Sequence, residues 1–173
     1  MDDAVRVISR LLAKSKAETG LKIRFTDKRK ASKSLAFRIF NAKKATKDEL
    51  YPELLKIVRR VLKQADRGQQ QVTDSADTSA PRQQKWLDAL AHYRGLASRV
   101  IEQTERRVIQ GERVPSSDKI VSLFEPHTDI IVKGFRDVQY GHKINLSTEV
   151  RGFITALTIE ECRLAPSVGL KSG

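Results

Sequence analysis

The chain has 173 residues and a formal net charge of +12 at pH 7, with 31% charged and 39% hydrophobic residues. This length predicts one domain, or one domain with an appendage. No apolar run approaches the roughly 18 residues that a membrane span needs. The single cysteine, Cys162, excludes an internal disulfide and a cysteine-built metal cluster, and the N-terminal residues do not resemble a signal peptide. We therefore expect a cytoplasmic protein with no membrane partner.

The positive charge is concentrated in the first part of the chain. Residues 1–64 carry 18 Lys/Arg and 7 Asp/Glu, whereas residues 118–148 carry four of each sign. A field of this kind attracts polyanions, and nucleic acid is the leading candidate. A membrane surface is the weaker alternative, because the segment 22–47 lacks a broad apolar face bordered by Lys and Arg.

Helical spacing predicts two helices in this basic part. The first, over residues 3–17, has an apolar face and ends near Gly20. The second is predicted from residue 32 to residue 41 within the basic block. The apolar residues of the two helices are Val5, Ile8, Leu11 and Leu12, then Leu35, Phe37, Ile39 and Phe40.

A third helix is predicted to begin at a capping box, in which Thr46 and Glu49 cap each other's backbone amides. Its apolar stripe is Leu50, Leu54, Ile57, Val58, Val61 and Leu62. Residues 66–81 are polar and contain few large apolar groups, so they are predicted to form a loop or linker.

A long fourth helix is predicted over residues 82–110, ended by Gly111 and Pro115. We expect it to pair with the third helix as an antiparallel hairpin and its stripe to be core rather than a ligand box. The stripe is Trp86, Leu87, Leu90, Tyr93, Ala97, Val100, Ile101, Thr104 and Val108.

The period then changes to that of strands. Runs at residues 120–124, 130–132, 140–146 and 152–159 predict three or four antiparallel strands of one sheet. The fold class is therefore α+β, a basic helical region followed by a partial sheet. Residues 162–173 have neither period and form an irregular tail.

The basic block is the strongest functional signal. Its cations are predicted to neutralise backbone phosphates, so that binding weakens steeply with salt and has little sequence preference. The predicted DNA-binding residues are Lys22, Arg24, Lys28, Arg29, Lys30, Lys33, Arg38, Lys43, Lys44 and Lys47.

Catalytic and metal-binding patterns are weak by comparison. No Ser/His/Asp arrangement and no phosphate-binding glycine loop is visible, and Cys162 has no base partner. Carboxylates on neighbouring strands are able to hold a divalent metal, but these acids occupy ordinary turn positions, and the histidines lack metal-ligand spacing. We assign no catalytic and no metal residue. The groups considered are Glu125, Asp129, Asp137, His92, His127 and His142.

Two motifs resemble the transposases of bacterial insertion sequences that have an RNase H-like, DDE-type catalytic domain. These are Val114–Asp129, which contains Phe-Glu-Pro-His-Thr, and Tyr140–Leu146, which begins Tyr-Gly-His-Lys. The helical stretches Asp3–Leu12 and Trp86–Gln110 resemble the same family. The resemblance implies a role in DNA transposition, with a helical region at 1–111 and part of an RNase H-like sheet at 112–161.

In that family two Asp and one Glu hold Mg²⁺ or Mn²⁺ for phosphoryl transfer, and intact members allow for homo-oligomers. The resemblance places these acids outside the present sequence, so no catalytic residue is carried over and no cofactor is expected in this chain. Residues 160–165 read as a change of reading frame relative to the family pattern. We expect a DNA-binding fragment that is inactive alone and associated with the nucleoid.

Two other interpretations remain open. One is a stand-alone nucleic-acid-binding protein with no catalytic ancestry. The other is a helical hairpin that binds a protein partner, with incidental charge. Salt-dependent DNA binding separates the last from the first two, and the DNA flanking the gene separates a transposase fragment from a stand-alone protein.

Overall fold

The computed structural model describes residues 1–75, 81–131 and 138–160, and it has an α+β architecture. The chain divides into two compact units, residues 1–114 and 115–173. The first unit contains four helices, and the described part of the second contains two small antiparallel sheets of two strands each.

The four helices begin and end close to the predicted positions. Gly20 adopts a left-handed conformation with φ of 75° and ends the first helix, as predicted. The fourth helix continues through one π-helical turn, Glu105–Ile109, before Gly111. The helices are α1, Asp2–Thr19; α2, Arg29–Asn41; α3, Lys44–Thr73; and α4, Pro81–Thr104.

The core of the helical unit forms where α1 packs against α3 and α4. Residues spaced three or four apart on α1 are fully buried, which is the face that the sequence pattern predicts. The indole N–H of Trp86 on α4 donates a hydrogen bond of 2.9 Å to the carbonyl of Leu11. The main buried apolar residues are Val5, Ile8, Leu12, Leu54, Val58, Val61, Trp86 and Leu90.

Two predictions about α3 are wrong. The helix begins at Lys44, so Thr46 lies within its first turn and no side chain caps its start. The predicted linker, residues 66–81, is helical as far as Thr73. The apolar stripe in fact continues through Ala65, Gly68 and Val72, all of which are buried. Two of these residues are small, and therefore they gave no strong apolar signal.

The predicted hairpin of α3 and α4 is confirmed, and it is antiparallel. Gln83 donates a hydrogen bond of 3.4 Å to the carbonyl of Val72 near the connection. Farther along, Arg94 forms an ion pair of 2.8 Å with Asp66. The most distant of these contacts joins Arg59 to Glu105. As the residue numbers rise along α4, those of their partners fall along α3.

Two helical glycines offer a matched test of this packing. A Cβ at Gly68 would lie 3.0 Å from Cδ1 of Ile23 and 3.1 Å from Cδ2 of Leu12, whereas a Cβ at Gly95 would meet nothing within 4 Å. We expect Gly95→Ala to stabilise the protein by about 0.5–1 kcal/mol through helix propensity. We expect Gly68→Ala to destabilise it by about 1 kcal/mol, because overpacking outweighs that gain. Urea unfolding of both variants is the measurement, and equal stabilisation by both would contradict the close approach at Gly68.

The strands of the second unit differ from the prediction in three ways. Residues 120–124 form no strand, although Ile120 and Leu123 are buried. The run 140–146 is divided at His142 between two strands, and the strands form two separate pairs, β1 with β2 and β3 with β4. Val132 lies outside the described residues. The strands are β1, Asp129–Ile131; β2, Gln139–Gly141; β3, Lys143–Thr148; and β4, Ile154–Glu160.

The β3–β4 hairpin is amphipathic. Its register places Ile144 opposite Ile159 and Leu146 opposite Leu157, so that these four apolar side chains share one face, and all four are more than half exposed. The predicted tail at 162–173 lies outside the described residues. Within the described chain, no helix combines the length and the apolar character that crossing a membrane requires.

Candidate nucleic-acid interface

The segment between α1 and α2 is an anchored, extended stretch. Ile23 is buried, and its backbone N–H donates a hydrogen bond of 3.1 Å to the hydroxyl of Ser15 on α1. The N–H of Thr26 donates to the side-chain carbonyl of Gln64 on α3 at 3.2 Å. Because alternate residues of an extended chain point to opposite sides, the burial of Ile23 leaves Lys22 and Arg24 exposed.

Helix α2 is fixed to the rest of the unit by one face. Leu35 and Ile39 form a buried cluster with Leu50 and Leu54 of α3. At the start of α2, the hydroxyl of Ser32 donates a hydrogen bond of 2.7 Å to a carboxylate oxygen of Asp2. These contacts determine which side of α2 faces outward.

No acidic residue occurs in the sequence from 28 to 47. Within residues 1–75, 81–131 and 138–160, only Arg29 among the ten predicted DNA-binding residues forms an ion pair. The side chain of Lys44 is outside the described set. Most of the other cations are exposed, and the remaining ones are half-buried. The exposed members are Lys22, Arg24, Lys30, Lys33, Arg38 and Lys43, and the half-buried members are Lys28, Arg29 and Lys47.

Arg29 differs from the others because Asp27 holds its guanidinium. Its Nε donates to both carboxylate oxygens, at 3.0 Å and 2.9 Å, and its Nη2 donates to Oδ2 at 2.6 Å. These hydrogen bonds hold the pKa of the Asp27 carboxyl below its ordinary value. Asp27 therefore remains a carboxylate at neutral pH, and it competes with phosphate for Arg29.

Removing this competitor gives a direct prediction. Asp27→Asn should free Arg29 and raise the affinity for DNA by several-fold at low salt. The logarithmic salt slope should steepen by about 0.9, the value for one added phosphate contact on B-DNA. The measurement is the DNA dissociation constant across a salt titration. An unchanged slope would mean that Arg29 does not reach phosphate, and Asp88→Asn on α4 is the control for loss of one exposed acid.

The predicted anchorage of α2 is only half right. Leu35 and Ile39 are buried, but Phe37 and Phe40 are 70% and 80% exposed. A buried Phe contributes about 1.5–3 kcal/mol relative to an exposed one, so both side chains forgo that contribution to folding. They lie on the outward side of the helix, among the cations of the basic block.

The second unit brings together residues that sequence reasoning kept apart. The β1–β2 register places Asp129 opposite Gly141, next to His142. The rings of His127 and His142 stack with centroids 5.0 Å apart and an angle of 17° between their planes. His142 Nδ1 lies 3.9 Å from a carboxylate oxygen of Asp129, close enough for an ion pair when the imidazole is protonated. The pairing of His127 with His142 had no signal in their sequence spacing.

A metal role gains no support from this cluster. Among the described residues, no group of three or more His, Cys, Asp or Glu is arranged to hold a metal ion. Glu125 is exposed, with its backbone N–H bonded to the Ser122 hydroxyl at 3.1 Å. Asp137 and Cys162 lie outside the described residues.

Comparisons of the chain with protein-family models, with curated proteins and with solved structures find no match.

Proposed function

We propose that this chain binds DNA through the basic surface formed by residues 22–47, as the DNA-contacting part of an insertion-sequence transposase. The observation that carries the DNA-binding proposal is the exposed, acid-free set of cations on α2 and its flanking segments. A run of charge on a solvated helix is common, but here it extends over an anchored loop, a helix and the start of the next. Phosphates are the ligands that such a spread of cations fits best.

The expected mode is contact with the phosphate backbone. Lys and Arg side chains that neutralise phosphates release counterions, which makes affinity depend on salt rather than on base sequence. Nothing in the arrangement of α2 favours base reading in a groove, since the cations occupy several sides of the exposed surface. We therefore expect little preference among duplex sequences.

The transposase part of the proposal depends on the two resembling motifs. In the folded chain, parts of both meet in the β1–β2 hairpin, where Ile130 pairs with Tyr140. The RNase H-like assignment is an extension of this resemblance, and the two small sheets are its only structural support. The DNA flanking the gene tests it. An upstream Asp-Ser-Thr strand in frame, or a downstream segment that supplies the family's acids, would support the assignment, and an unrelated reading frame there would contradict it.

The binding proposal is tested by fluorescence anisotropy of a labelled duplex with the full chain. If five or six phosphates are neutralised, the plot of log affinity against log salt should have a slope of about −5. Affinities for duplexes of unrelated sequence should agree within a few-fold. No binding at low salt, or binding that salt leaves unchanged, would overturn the proposal.

A further inference from the structure

The outward face of α2 combines two aromatic rings with cations. At 3.6 residues per turn, Phe37 lies about 160° around the helix axis from both Leu35 and Ile39. Lys30 and Lys33 fall on this same outward side, and Phe40 lies next to it. Because residues three and four apart are neighbours on a helix, Lys33, Phe37 and Phe40 form one continuous strip.

The rings are not spare parts of the core. The cluster of Leu35, Ile39, Leu50 and Leu54 is already complete on the opposite side of α2. Phe37 and Phe40 are 70% and 80% exposed, although they belong to a helix whose other large apolar residues are buried. A pair of exposed rings on a rigidly held helix is typical of a surface that receives a ligand.

We infer that Phe37 and Phe40 are a stacking platform for unpaired bases, so that the basic surface prefers single-stranded over duplex DNA. This inference rests on the proposed DNA binding. Single-stranded nucleic acid presents base faces for stacking and phosphates for Lys30 and Lys33, which is the combination used by proteins that bind single strands. In duplex DNA the base faces are covered by their neighbours, and the rings find no partner.

Charge favours this occupant over other classes. An acidic protein would match the cations, but the strip offers only two rings and no apolar groove for a partner helix. A membrane surface would require a wide apolar face, and the remaining apolar residues of α2 are committed to the core. Two rings spaced by one helical turn match successive bases of a flexible strand.

The test compares the full chain with the variant Phe37→Ala/Phe40→Ala on two probes, a labelled oligothymidylate and a duplex of equal length. A single strand has a lower charge density, so phosphate contacts alone favour the duplex. We expect the natural chain to prefer the single strand. We expect the variant to lose about 10- to 100-fold in single-strand affinity and less than about 3-fold in duplex affinity. Exposed rings contribute little to folding, so the helical circular dichroism should not change.

Leu21→Ala/Ile109→Ala is the control, because it removes two other exposed apolar side chains of the same unit. A strand without bases, made of abasic sites, should bind the natural chain as weakly as oligothymidylate binds the variant. If the Phe variant loses affinity for both probes equally, or for neither, the platform is overturned while DNA binding stands. If neither probe binds the natural chain, the proposed function itself fails. If Phe-dependent binding appears only with vesicles of equal parts phosphatidylcholine and phosphatidylglycerol, the occupant is a membrane and the inference is wrong.

Discussion

Reversing three charges on α2, with Lys30→Glu, Lys33→Glu and Arg38→Glu together, is expected to reduce duplex affinity by on the order of 100- to 1,000-fold at about 0.1 M salt. All three side chains are exposed and form no ion pair with another described residue. Each reversal removes one phosphate contact and adds one repulsion. The salt slope should also become shallower by nearly three contacts, which separates lost contacts from a general change of fold.

The matched control places the same change of net charge on another helix. Arg82, Lys85 and Arg99 are exposed on α4, and no ion pair among the described residues involves them. Their replacement by Glu should reduce affinity far less, since only the long-range field changes. Anisotropy titrations of the two triple variants give the comparison directly. Equal losses would show that net charge alone matters, and that residues 22–47 have no special role.

Leu90→Ala is expected to destabilise the helical unit by about 3–5 kcal/mol. Leu90 is completely buried at 0% exposure in the middle of α4. Its removal costs the transfer free energy of the lost methyl groups and leaves a cavity that the four helices cannot fill without moving. A loss of this size is a large part of the stability of an ordinary domain.

Urea unfolding followed by helical circular dichroism measures this effect. Ile109→Ala is the companion variant, because Ile109 is 51% exposed at the end of the same helical segment. It should cost less than about 0.5 kcal/mol, as surface substitutions usually do. If Leu90→Ala costs no more than Ile109→Ala, the proposed packing of α4 is wrong.

The helices could be predicted because their apolar residues recur at spacings of three and four. The same rule failed at residues 66–73 for a physical reason. There, α3 packs against the neighbouring chain through Ala65 and Gly68, which are buried because small residues allow close approach. Scales that score large apolar groups ignore such positions. The run Gln69–Gln71 carries good helix formers, and it was the available signal.

The orientation of α2 could not be read from its sequence. Leu35, Phe37, Ile39 and Phe40 occupy nearly all sides of the helix, so the pattern alone does not select a buried face. The choice depends on contacts with α3, which are long-range in the chain. For the same reason, the cationic residues were predicted as a set, but the exposed rings among them were not.

The strand region shows another limit. Ile120 and Leu123 are buried three residues apart in a segment without regular structure, while Val121 and Phe124 between and after them are exposed. A continuous apolar run suits a buried strand as well as an irregular segment, and only tertiary contacts distinguish them. The division of the remaining strands into two pairs likewise depends on contacts that alternation does not encode.

Lysine footprinting on the full chain tests the central claim most directly. Lysines are acetylated with and without saturating DNA, and the modified sites are identified by mass spectrometry. If the basic surface binds DNA, Lys22, Lys30, Lys33 and Lys43 should lose most of their reactivity, while Lys56 and Lys85 on α3 and α4 stay reactive. Protection centred on Lys56 and Lys85, or no protection at all while DNA is bound, would contradict the account.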